Sequence, residues 1–158
     1  QDNCLNILGG GIIKTLDGEE HCIDKWDLII AHPPCTYLSN AGAVRLFKRV
    51  DGETWIKRSR FELGMDAKEF FMQLYESDCP GVAIENPIPS SVFRLPLYTQ
   101  IIQPYEYGEP YSKKTCLWLK GLPELVPTNI VEPICSWVSG GSKKGDGTRR
   151  ERHNSSYS

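Results

Sequence analysis

The chain has no Cys-x-x-Cys pair, no apolar run of membrane-spanning length, and only Met65 and Met72 as methionines in 158 residues. Each absence excludes something. A structural zinc site normally shows paired cysteine spacing, and a disulfide framework belongs to shorter secreted chains. The six cysteines at 4, 22, 35, 79, 116 and 135 are scattered, so they read as reduced, mostly buried thiols. Without a long apolar run there is no membrane span to predict, and no signal-peptide pattern opens the sequence. The expectation is a cytoplasmic protein with no membrane partner. The charge excess is also small, a net −2 from 18 Lys and Arg against 20 Asp and Glu. Nucleic-acid binding would therefore need a local basic patch. The sequence begins at Gln1, and the expectation drawn from this is a fragment of a longer protein.

What is present is an ordinary globular composition, 40% hydrophobic and 24% charged, long enough for one domain with a real core. Gly9-Gly10-Gly11 invites a phosphate- or cofactor-loop reading, but the next residues are Ile12 to Leu16 and then Asp17-Gly18. That order reads as turns and a hairpin, because a phosphate loop needs a helix after its glycines. Trp26 to Ala31 is a short continuous apolar run ending at Pro33-Pro34, the pattern of a strand buried on both faces. From about Glu53 to Glu76 apolar residues recur at helical spacing, with Leu63, Ala67, Phe70, Phe71, Leu74 and Tyr75 as the expected core face. Val82 to Ile84 then predicts a second buried strand, followed by Glu85-Asn86-Pro87. Strand, helix and strand make a right-handed βαβ unit. Strands are also predicted over Thr99 to Tyr105 and Thr115 to Leu119. From Ser139 onward the chain is Gly, Ser and charge, read as a basic flexible tail (139–158) behind a domain spanning 1–138.

Two predicted strands each end in a reactive group, Cys35 after one and Glu85 after the other. Parallel neighbours place both at one sheet edge, where open α/β sheets put their chemistry. A thiolate and a carboxylic acid over one pocket suit covalent catalysis on a polarised ring.

Three ordered motifs give this arrangement a resemblance. Pro33-Pro34-Cys35-Thr36-Tyr37-Leu38-Ser39-Asn40-Ala41-Gly42 is similar to the Pro-Pro-Cys-Gln-x-Phe-Ser nucleophile motif of the DNA cytosine-5 methyltransferases. Glu85-Asn86-Pro87 matches that family's Glu-Asn-Val or Glu-Asn-Pro. Tyr107-Gly108-Glu109-Pro110 through Leu119 is similar to a third motif, with Ser112, Lys114 and Cys116 where the family has Gln and two Arg. The resemblance covers about Asp27 to Gly121, and it is to phage- or prophage-type homologues within that family.

It implies an α/β fold, a partial Rossmann-like S-adenosylmethionine-dependent methyltransferase fold with a mostly parallel sheet flanked by helices. It implies Cys35 as the nucleophile at cytosine C6 and Glu85 as the acid at N3. Pro34, Ser39, Asn86, Pro87, Lys113 and Lys114 become substrate-binding candidates and Pro33 a cofactor-binding one. DNA is the implied partner, with the target base flipped out of its stack, and S-adenosylmethionine the implied cofactor. Thr36 replaces the usual Gln and His32 the usual small residue. The family's Gly-rich cofactor loop lies well upstream of its Pro-Pro-Cys, and Gly9-Gly10-Gly11 stands too close to Cys35 to be it. The expectation is a catalytic half-domain with an incomplete cofactor site, completed by an N-terminal part of the same protein. Two alternatives are a nucleotide-level pyrimidine C5 enzyme of thymidylate-synthase type and an inactive fragment that binds DNA through its basic tail.

Overall fold

A computed structural model describes residues 4–136; the basic tail from Ser139 lies outside them. A 3-10 turn at Cys4–Ile7 leads into an antiparallel hairpin of β1 (Gly11–Lys14) and β2 (Glu20–Ile23). The glycine triplet thus leads into a strand whose first residue is Gly11, and Asp17-Gly18 occupies the hairpin loop with Gly18 at φ +90°. Next come β3 (Leu28–Ala31), the short helix α1 (Asn40–Ala43), and a second antiparallel hairpin of β4 (Phe47–Val50) and β5 (Glu53–Ile56). The long helix α2 (Arg58–Tyr75) and β6 (Gly81–Pro87) come after it. The chain continues through β7 (Gln100–Ile102), a 3-10 turn at Pro104–Glu106, β8 (Tyr111–Ser112), β9 (Thr115–Lys120) and β10 (Cys135–Ser136).

The central sheet has the order β3-β6-β9-β7. β3 and β6 pair in parallel, with Ala31 opposite Ile84, while β9 pairs antiparallel with both β6 and β7. The fold is α/β with a mixed sheet, which corrects the mostly parallel expectation. Three strands do run the same way, but β9 inserts between two of them and turns two of the three pairings antiparallel. Apolar runs carry no direction, so the sequence could not show this. Few helices flank the sheet; α2 is the long one.

The core lies between α2 and the sheet. Phe71 and Leu74 meet Val82, Ile84, Cys116 and Trp118, all at most 4% exposed. The Trp118 ring stands edge-on to Phe71 at 5.0 Å, and its indole N–H donates to the Pro96 carbonyl at 2.8 Å. Removing a ring so enclosed costs about 3–5 kcal/mol. The helix face is otherwise as the periodicity predicts, except that Leu63 is 46% exposed. The helix also begins later than expected. Residues 53–56 form β5, because Asp51-Gly52, with φ of +52° and +85°, makes a two-residue hairpin turn of the kind Asp-Gly favours. β3 differs too: Leu28 and Ile30 are 47% and 66% exposed. One of its faces is open, where the apolar run predicts burial on both.

Candidate active site

The parallel β3–β6 pairing fixes the site. Because Ala31 lies opposite Ile84, the next residues, His32 and Glu85, emerge side by side at the C-terminal edge. His32 Nδ1 is 3.1 Å from Glu85 Oε2. The carboxylate is about one-quarter exposed and the imidazole two-thirds exposed. One residue on, Asn86 is buried, and its side-chain amide donates to the carbonyl of Pro33 at 3.0 Å. The second motif therefore holds the first through a buried bond. Further along, the Asn40 amide donates to Ile88 O at 2.9 Å and the Ser90 amide to Leu38 O at 2.7 Å. Ser39 and Pro89 form an antiparallel bridge. The segment carrying Cys35 is tied to the segment after Glu85 at Pro33 and again at Leu38 to Asn40, on either side of the thiol.

Within the first loop the Ser39 amide donates to Cys35 O at 3.0 Å, closing a turn with Cys35 at its start. Cys35 itself is half-buried. Ser39, expected to touch substrate, is 5% exposed and caps α1 by accepting from the Gly42 amide at 3.2 Å; its hydroxyl organises the loop. Gly42 is required by close approach, since a Cβ there would lie 2.2 Å from Thr36 O. From the first turn of α2, Arg60 donates to Thr36 O at 3.1 Å and to Gly42 O at 3.4 Å. Its guanidinium also stacks over Tyr37 at 4.8 Å. Sequence reasoning missed Arg60, and no spacing signal marks it, because its reach depends on how α2 meets the loop.

The remaining candidates divide. Pro34 is exposed beside Cys35, and Pro33 is buried. Pro87 lies opposite Thr115 in the sheet, so Lys113 and Lys114, just ahead of β9, stand at the same edge as Cys35 and Glu85. The Lys113 amide donates to Gln103 Oε1 at 2.9 Å. Cys116, where the resembled motif has an Arg, lies opposite Asn86 and is fully buried. Burial, and then the nearby Glu85 charge, raise its thiol from the ordinary 9.0 to about 11. It is a neutral core thiol and supplies no charge to the edge. Ser112, at another position of that motif, pairs with Ser136 between β8 and β10 at 3.2 Å.

On the other side of the Pro33-Pro34 segment lies a cavity of about 350 Å³. Trp26, Ile29, Phe70 and Leu74 supply apolar lining, together with Pro33 and His32. The lining contains no Asp or Glu. Such walls suit a flat heteroaromatic ring. They offer no carboxylate to ribose hydroxyls or to a cationic centre, so this cavity does not fit S-adenosylmethionine as a whole. Among the described residues no cluster of three or more His, Cys, Asp or Glu is placed to hold a metal ion. Nor is any helix among them long and apolar enough to cross a membrane.

Comparison with known proteins gives no match for this chain among family models, curated proteins or solved structures.

Proposed function

We propose that this chain carries the base-activating half of a DNA cytosine-5 methyltransferase, with Cys35 as nucleophile and Glu85 as acid. The observation that carries the reading is the buried Asn86 bond to Pro33 O between two parallel strands, one leading to each reactive group. It fixes the thiol-bearing and carboxyl-bearing segments relative to each other before any substrate arrives. Preorganisation of this kind is what covalent catalysis requires.

In the proposed step a bond forms between Cys35 Sγ and C6 of cytosine. The C5–C6 π bond breaks, and N3 takes a proton from the Glu85 carboxyl group. The thiolate is a strong and reversible nucleophile. C5 becomes an enamine carbon able to accept an electrophilic methyl group. Once C5 has taken that group, its own proton leaves to water, the C5–C6 π bond re-forms, Cys35 Sγ departs as thiolate, and N3 returns its proton to the Glu85 carboxylate. The His32 imidazole, 3.1 Å from Glu85 Oε2, is placed to orient the carboxyl group. A base reached in this way must leave its stack. The methyl donor implied by the resemblance is S-adenosylmethionine. No step is assigned to it, because the apolar cavity beside Pro33 answers only to part of that molecule. DNA is the proposed partner and a reducing cytoplasm the proposed setting, with Cys4, Cys22, Cys35, Cys79 and Cys116 all free thiols.

The incomplete cavity favours a second reading, in which the chain binds DNA without completing transfer. Incubation with a duplex containing 5-azacytosine, whose C6 adduct persists without a methyl donor, separates the two. The first reading predicts a denaturation-resistant adduct that Cys35→Ser abolishes. No adduct overturns base activation by this chain, and an adduct surviving Cys35→Ser overturns the nucleophile assignment.

A further inference from the structure

The β4–β5 ribbon rises from the segment that carries Cys35, and all eight of its residues are exposed. Its base is closed where the Lys57 amide donates to Leu46 O at 2.8 Å, with Leu46 itself buried at 1%. The ribbon is therefore anchored in the core at one end and free along its length. Four of its eight residues are large and apolar: Phe47 is 37% exposed, Val50 43%, Trp55 54% and Ile56 48%. Charge is concentrated here as well. Residues 45–60 hold Arg45, Lys48, Arg49, Lys57, Arg58 and Arg60 against Asp51 and Glu53, in a chain whose net charge is −2. Among the described residues, Arg45, Lys48, Arg49 and Lys57 have no carboxylate partner, whereas Arg58 pairs with Glu62.

Directly opposed residues of an antiparallel pair share a face. Lys48 therefore lies beside Trp55 on one face, with Val50 and Glu53 next along, and Arg49 beside Thr54 on the other, with Phe47 and Ile56 next along. Each face mixes a cation with apolar surface. Burial in this chain's own core would not call for the cations, and a purely solvated ribbon would not call for Trp55, Ile56 and Phe47. Four residues per strand span about 14 Å, with strands about 5 Å apart, and the major groove of a duplex, about 12 Å wide, admits a two-stranded ribbon.

We infer that the β4–β5 ribbon is a duplex-docking arm. Lys48 and Arg49, on opposite faces of the ribbon, meet the phosphates on either side of the groove, and Trp55 with Val50 seats against one wall while Phe47 and Ile56 face the other. The ribbon joins the Cys35 segment through α1 and Leu46, so docking it delivers the duplex to the thiol-bearing edge. The choice of a duplex over other polyanions rests on the proposed function; the polyanion docking itself rests on the ribbon's charge and shape.

The test is fluorescence anisotropy with a labelled random-sequence duplex, using the full chain at 50 and 200 mM salt. Lys48→Gln with Arg49→Gln should weaken binding about tenfold and reduce the salt slope by about two, one unit for each phosphate that no longer meets a cation. Trp55→Thr should weaken binding while leaving that slope unchanged. In both variants the melting midpoint and the alkylation rate of Cys35 should match the parent. Cys35→Ser should bind as the parent does, so loss of chemistry and loss of docking are read separately. Parent-like duplex binding by the ribbon variants would overturn the inference, as would a loss of all binding when Lys143, Lys144, Arg149, Arg150 and Arg152 alone are changed to Gln. Equal or tighter binding of single strands, or equal competition by heparin, would overturn the duplex assignment.

Discussion

The Cys35 segment and the β4–β5 ribbon are near neighbours in sequence, joined through α1 and Leu46, yet they are built on opposite terms. The first is held at several points: by Asn86 from the adjacent strand, by the 88–90 segment, by the Ser39 cap and by Arg60 from α2. The second is held at its base and by its own ladder. Rigid placement is what the proposed nucleophile and its partner carboxyl would need. An exposed arm is what the proposed docking on a large partner would need. The same chain provides both because one lies over the core and the other leaves it.

That contrast can be broken by mutation. Asn86→Ala should have the largest effect on stability, about 2–3 kcal/mol in urea melts, because it strands the buried Pro33 carbonyl and opens a hole. It should also raise the alkylation rate of Cys35 by loosening its segment. A loss below about 0.5 kcal/mol would mean the two segments are not tied through Asn86.

Cys116 sharpens the comparison from below the sheet. Its thiol is held up to about 11 by burial, so the folded state keeps a proton that the unfolded chain releases near 9. Unfolded chains then bind fewer protons than folded ones, and stability falls as pH rises through that window. Cys116→Val should flatten the fall between pH 9 and 11 in thermal melts, while ribbon substitutions leave it in place.

His32→Ala removes the imidazole contact to Glu85. It should slow any Cys35-dependent chemistry about tenfold, the size of such a bond, with little change in the melting midpoint. The smallest effect belongs to the ribbon. Trp55→Thr should change stability by less than about 0.5 kcal/mol, as exposed substitutions do, and a larger loss would show that the ribbon is part of the packed fold.

The two regions are also unequally legible. Cys35 and Glu85 can be brought together from sequence because parallel strands joined by a right-handed crossover deliver their C-terminal ends to one edge. The ribbon disappears into a helix predicted from Glu53, although Asp51-Gly52 carries the same hairpin signal as Asp17-Gly18. Residues Leu63 to Tyr75 have so strong a helical period that it overruns the turn. The direction of β9, the open face of β3 and the reach of Arg60 are out of range for a different reason. Each depends on what a residue meets across space, and neither strand alternation nor helix period encodes that.

The most direct test of the Cys35–Glu85 assignment needs no methyl donor. Reversible attack at C6 makes C5 exchange its hydrogen with solvent, so duplex DNA incubated with the protein in deuterium oxide should gain deuterium at cytosine C5, as read by mass spectrometry of the released nucleosides. The account predicts incorporation by the parent chain, none with Cys35→Ser, and a strong reduction with Glu85→Gln. Incorporation that persists in Cys35→Ser, or no incorporation by a parent chain that binds the duplex, would contradict it.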